Sequence, residues 1–150
     1  MQRDDGKLFQ ETADSLFAQL GRRERTAAGG HHMEGLKITI CGCGNGAHAC
    51  AALMSRQGHE VTVFSPLKEE IRKFRKNYEE NKGLDAVIVG EEEKGLTISR
   101  ITDDPETALK ETDLVFVTVP AFAHEAVLGC LKRHVNRSAL IAMMPCRGMI

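Results

Sequence analysis

The sequence lacks a dominant charge. Its 20 lysines and arginines stand against 21 aspartates and glutamates, a net charge of −1 at pH 7. The two signs are interspersed, so no basic face for a nucleic acid is expected. The chain also lacks an apolar run long enough to cross a bilayer, and no membrane partner is expected. Residues 1–30 lack the apolar centre of a secretory signal. They carry Asp4, Asp5, Glu11 and Asp14, which argues against a mitochondrial transit peptide. The expected location is therefore cytoplasmic. A disulfide framework is missing too. Cys41, Cys43, Cys50, Cys130 and Cys146 make five, an odd count with no framework spacing, and read as reduced thiols. Cys41 and Cys43 flank Gly42 but lack the further ligands that zinc requires, so no metal site is expected. Internal repeats and low-complexity tracts are absent.

What is present centres on Lys37-Ile38-Thr39-Ile40-Cys41-Gly42-Cys43-Gly44-Asn45-Gly46-Ala47-His48. A β-branched run ends in glycines, and the glycines lead into an alanine-rich segment. That order reads as strand, tight turn, helix. Gly42, Gly44 and Ala47 occupy the positions of a G-x-G-x-x-G/A turn. Gly42 lets the backbone leave the strand sharply. Gly44 has no Cβ, so a pyrophosphate can approach the main chain. Ala47 is small enough for the helix to lie on the strand. The helix start then offers N–H groups and a positive dipole end to phosphates. Gly42, Gly44, Asn45, Gly46 and Ala47 are therefore the candidate cofactor-binding residues at this turn.

Upstream, residues 1–35 read as an N-terminal extension. Leu8, Phe9, Ala13, Leu16, Phe17 and Leu20 fall at helical spacing, and Ala27-Ala28-Gly29-Gly30 reads as a linker. Residues 36–150 read as the folded domain. Strands are expected at Leu36–Cys41, Glu60–Ser65, Leu114–Val119 and Ser138–Met144. Helices are expected at Gly46–Gln57, from Pro66 to about residue 80, and from Ala123 to about His134. Leu67, Ile71, Phe74 and Tyr78 should form the apolar stripe of the second helix. Ala86–Val89 and Leu96–Ile101 suggest a hairpin around a solvated turn, Glu91-Glu92-Glu93-Lys94-Gly95. Asp104 should cap a short helix with Pro105 at its first position. Strands alternating with helices predict an α/β fold: a doubly wound parallel sheet, Rossmann-like, in three α/β/α layers. The expected strand order is 3-2-1-4-5, with a ligand at the carboxyl ends of strands one and four.

Two further stretches bear on the ligand. The residue that reads the adenosine ribose is expected at the end of strand two. That residue is Ser65; the usual Asp or Glu is missing. Ser65 can hydrogen-bond a ribose hydroxyl or a 2′-phosphate, and Lys68 or Arg72 could meet a phosphate. This leans slightly to NADP(H). At the end of strand four, Val119, Pro120 and Ala121 should present backbone and small side chains to the cofactor. His124 and Glu125 invite an acid–base reading, yet a first-turn position on a helix accounts for both. His48 likewise reads as a packing residue, and no catalytic residue is assigned.

The run Cys41-Gly42-Cys43-Gly44-Asn45-Gly46-Ala47-His48, followed by Gln57-Gly58-His59-Glu60-Val61 and by Thr118-Val119-Pro120-Ala121-Phe122-Ala123-His124-Glu125, resembles the N-terminal NAD(P)-binding domain of octopine and related opine dehydrogenases. The likeness spans roughly residues 36–145. It implies an oxidoreductase that reductively condenses a 2-oxo acid such as pyruvate with an amino acid. NAD(P)H then supplies the hydride. The resemblance favours NAD(H) as cofactor, with NADP(H) as the alternative. In that family a second, helical domain carries the substrate pocket and the catalytic histidine–acid pair. Those residues have no counterpart here, so a truncated form is expected. It should bind dinucleotide and meet amino acid and 2-oxo acid only if a helical substrate domain is supplied. Two alternatives stand beside this: a non-catalytic NAD(P)-sensing module, and the cofactor domain of an enzyme like glycerol-3-phosphate dehydrogenase or ketopantoate reductase.

Overall fold

A computed structural model describes residues 35–88 and 90–144. The expectations for residues 1–34, for Val89 and for the Pro145-Cys146-Arg147-Gly148 loop lie outside the described residues.

Five parallel strands make the central sheet. They are β1 (Lys37–Cys41), β2 (Glu60–Phe64), β5 (Arg100–Thr102), β6 (Leu114–Val117) and β7 (Leu140–Met143). Their order is β5-β2-β1-β6-β7. With the separate hairpin set aside, this is the expected 3-2-1-4-5 arrangement. The helices are α1 (Asn45–Arg56), α2 (Lys68–Glu80), α3 (Pro105–Leu109) and α4 (His124–His134). No helix among the described residues is long and apolar enough to cross a membrane.

Strand alternation sorts the core into two layers. Ile40 pairs with Val63 and Phe116, and Cys41 pairs with Phe64 and Val117. The face bearing Ile38, Ile40, Val61 and Val63 lies toward α1, whose Ala47, Cys50, Ala51 and Met54 are fully buried. Small residues let that helix approach β1 and β2 closely. The opposite face places Cys41, Phe64, Val115 and Val117 against Ala108 and Leu109 of α3 and Val127 and Leu131 of α4. Asp104 caps α3 as expected, accepting from the main-chain N–H groups of Glu106 and Thr107, with Pro105 at the helix start.

Three local expectations are corrected. Pro66 does not begin α2; the helix starts at Lys68 after Leu67. Ser65 Oγ accepts from Leu67 N at 3.2 Å, a side-chain turn that spans the proline and delays the helix. Leu67 therefore falls outside the apolar stripe and is exposed, whereas Ile71 and Phe74 are buried. The acidic run is not a turn. Leu84–Ile88 forms β3 and Glu91–Leu96 forms β4, an antiparallel pair outside the main sheet. Glu91 and Glu93 lie two apart on β4, and both reach Arg56 of α1, at 3.2 and 3.0 Å. Finally, the expected strand Leu96–Ile101 is divided. Leu96 ends the hairpin, while Ile98 N donates to Tyr78 Oη and Ser99 N to Val61 O. The chain thereby crosses to β5 beside β2.

Candidate dinucleotide site

The glycine turn sits at the carboxyl ends of β1 and β6, where the sheet order reverses direction. Gly42 has φ +131°, a conformation that L side chains rarely adopt. Its N–H donates to Phe64 O at 2.8 Å. A Cβ here would lie 2.8 Å from Thr118 Oγ1 and 3.2 Å from Val119 Cγ1. The fold itself therefore demands glycine at 42. The same contacts bring the end of β6 against the turn.

Gly44 is different. Its φ of −81° is open to any residue, and a Cβ there would meet nothing within 4 Å among the described residues. Packing among the described residues gives no reason for a glycine. Gly44 precedes α1, and no side chain caps the helix. The first turn of α1 carries no acid, while α2, α3 and α4 carry Glu69 and Glu70, Glu106 and Glu125 in theirs. Main-chain N–H groups at the start of a helix have no partner within it and suit an anion. Asn45 is exposed, Gly46 half-buried and Ala47 fully buried against the sheet. This is the cradle a diphosphate needs: open space over a glycine and uncapped amides with no competing carboxylate.

On the other side of the turn, Ser65 follows β2 and is buried. Its hydroxyl is occupied twice, accepting from Leu67 N and donating to Glu70 Oε2 at 2.9 Å. Arg72, one candidate for a phosphate, is held by Glu69 at 2.8 Å. Lys68 is exposed on α2. A cleft of about 390 Å³ opens beside the turn, lined by Gly44, Asn45, His48, Glu70, Lys73 and Asp85 among others. Glu70 is absent from the residues that sequence reasoning selects. The only signal for it is a carboxylate in the first turn of the helix after strand two.

At the end of β6, Val119 and Pro120 are half-buried and Ala121 is exposed. A single 3₁₀ turn, Ala121–Ala123, leads into α4. His124 Nε2 lies 3.0 Å from Val119 O, and His48 Nε2 lies 3.0 Å from Asp85 O. A carbonyl only accepts, so each ring spends its Nε2 proton on the main chain. His48 also packs edge-on to Phe74, with ring centroids 6.0 Å apart. Both histidines thus serve as local supports. Burial and, secondarily, Glu70 push the Cys43 thiol up to about 12. Burial, followed by Cys130, pushes Cys41 to about 12. Neither is a nucleophile at neutral pH.

This sheet order, the glycine turn at its switch point and the uncapped helix behind it define a Rossmann-like dinucleotide-binding domain. Residues 37–145 match the model of the family described as "NADP oxidoreductase coenzyme F420-dependent", and the chain belongs to that family. Among named proteins, it is similar to octopine dehydrogenase of Pecten maximus, 39% identical over 118 residues. That match covers 73% of this chain and 29% of the Pecten maximus protein. Tauropine dehydrogenase of Arabella iricolor is 33% identical over 117 residues, covering 72% of this chain and 28% of its own length. A solved structure of octopine dehydrogenase in complex with NADH and agmatine superposes with a TM-score of 0.60 at 35% identity. It covers 73% of this chain and 28% of that one. The chain thus spans less than a third of the length of these relatives.

Proposed function

We propose that residues 36–150 are the cofactor-binding domain of an opine-dehydrogenase-like oxidoreductase. The observation that carries this reading is the open space over Gly44 at the uncapped start of α1. A glycine that packing does not require, facing an acid-free helix terminus, is explained by a bound diphosphate. Gly42, Gly44, Asn45, Gly46 and Ala47 hold the diphosphate, Ser65 lies on the adenosine side, and Val119, Pro120 and Ala121 flank the nicotinamide half. Bound NAD(P)H would supply a hydride. The chain's own part is to orient the cofactor and to shield one face of it with the 119–121 segment. Solved structures of octopine dehydrogenase with NADH and pyruvate and with NADH and L-arginine support a 2-oxo acid and an amino acid as substrates of the whole enzyme. The part assigned to residues 36–150 is cofactor binding, and the pocket for those substrates is assigned to the helical domain that the resemblance implies.

The test is a fluorescence titration with NADH. Gly44→Val should weaken binding at least about tenfold, roughly 1.4 kcal/mol, while leaving the melting temperature close to that of the parent. Unchanged affinity in the folded variant would overturn the reading.

A further inference from the structure

Domains of this class usually place an acidic side chain at the end of the second strand, where it accepts from the adenosine ribose hydroxyls. This chain has Ser65 there, which leaves the choice between NADH and NADPH open at the sequence level. The structure changes that picture. Ser65 is buried and points its hydroxyl at α2, donating to Glu70 Oε2 at 2.9 Å. The serine is thus a tether, and the carboxylate it tethers comes from five residues further on. Glu70 is also directed at the glycine turn. It lines the same cleft as Gly44 and Asn45, and its charge is felt by the Cys43 thiol within the turn.

The cations that would favour a 2′-phosphate are less well placed. Arg72 is neutralised by Glu69. Lys73 lines the cleft but holds no ion pair among the described residues, and nothing fixes its flexible side chain as Ser65 fixes Glu70. A fixed carboxylate beside the ribose accepts from a 2′-hydroxyl and repels a 2′-phosphate, because like charges brought together in a binding site disfavour binding.

We propose that Glu70, held by Ser65, replaces the missing strand-end acid, reads the adenosine ribose and selects NADH over NADPH. This deepens the reading of the site given above and rests on it. It runs against the NADP in the family's description.

The experiment is a pair of fluorescence titrations, NADH and NADPH, on the full chain and on Glu70→Gln, Ser65→Ala and Lys73→Gln. The parent should bind NADH about tenfold or more tightly than NADPH. Glu70→Gln should bring the two affinities to within about threefold, chiefly by tightening NADPH. Ser65→Ala should move the ratio the same way by a smaller factor, because the carboxylate stays but loses its tether. A parent that binds both nucleotides with a ratio untouched by Glu70→Gln overturns the role of Glu70 alone. A parent that prefers NADPH, and loses that preference in Lys73→Gln, also overturns it and transfers selection to the lysine. A folded parent that binds neither nucleotide overturns this proposal together with the function on which it rests.

Discussion

Thr118 Oγ1 donates to the main-chain carbonyl of Cys41 at 2.9 Å, joining the residue after β6 to the last residue of β1. The Thr118 N–H donates to the same oxygen at 3.0 Å. These two bonds clamp the ends of adjacent strands where the glycine turn departs. Thr118→Val keeps the shape and removes one donor from a buried acceptor. It should cost about 1 kcal/mol of stability, read as a lower urea midpoint with unchanged slope.

The two turn glycines should separate in their effects. Gly42→Ala forces a Cβ to within 2.8 Å of Thr118 Oγ1 at a φ of +131°. It should destabilise the domain by about 1–3 kcal/mol. Gly44→Ala meets open space and should leave the melting temperature within a degree or so of the parent, since such a change at an open site is worth only tenths of a kcal/mol. Differential scanning calorimetry of the pair decides the matter.

His59 gives the fold an acid sensitivity. Its Nδ1 accepts from Leu36 N at 3.2 Å, and partial burial lowers its pKa from the ordinary 6.5. A depressed folded value means the unfolded chain binds the proton more readily. The stabilisation is present above about pH 6.5 and is lost as pH falls through the lower folded pKa. Melting temperatures at pH 7.5 and 5.5 should differ less in His59→Asn than in the parent.

Cys43 lies in the turn yet should resist alkylation. With its thiol near pKa 12, the thiolate is scarce at pH 8. Iodoacetamide labelling followed by mass spectrometry should find Cys43 modified more slowly than a free cysteine peptide, with the rate still rising above pH 9. Bound dinucleotide should slow it further by covering the turn.

Most of the sheet was legible because its signals are local. The β-branched run before Gly42, the apolar stretch at 114–117 and the Asp104-Pro105 cap each state their own structure. The strand order followed from crossover handedness once the elements were known. The acidic hairpin strand was not legible. Glu91 and Glu93 look like turn residues until Arg56, 35 positions earlier for the first of them, is brought beside them. The helix start placed at Pro66 falls two residues too early, because the proline signal competes with the side-chain turn made by Ser65. Glu70 was hidden for a related reason. Its place depends on a tertiary hydrogen bond, and a motif keyed to the strand end looks five residues too early.

The β3–β4 ribbon has a practical consequence. It pairs with itself, leans on α1 through Arg56 and His48, and contributes no rung to the parallel sheet. Its tip at Gly90 has φ +83°, and a Cβ added there would meet nothing within 4 Å among the described residues, so foreign sequence can be grafted at this place. An epitope or a donor fluorophore spliced there would report on the cofactor cleft from a position that the sheet does not have to rebuild itself to accommodate.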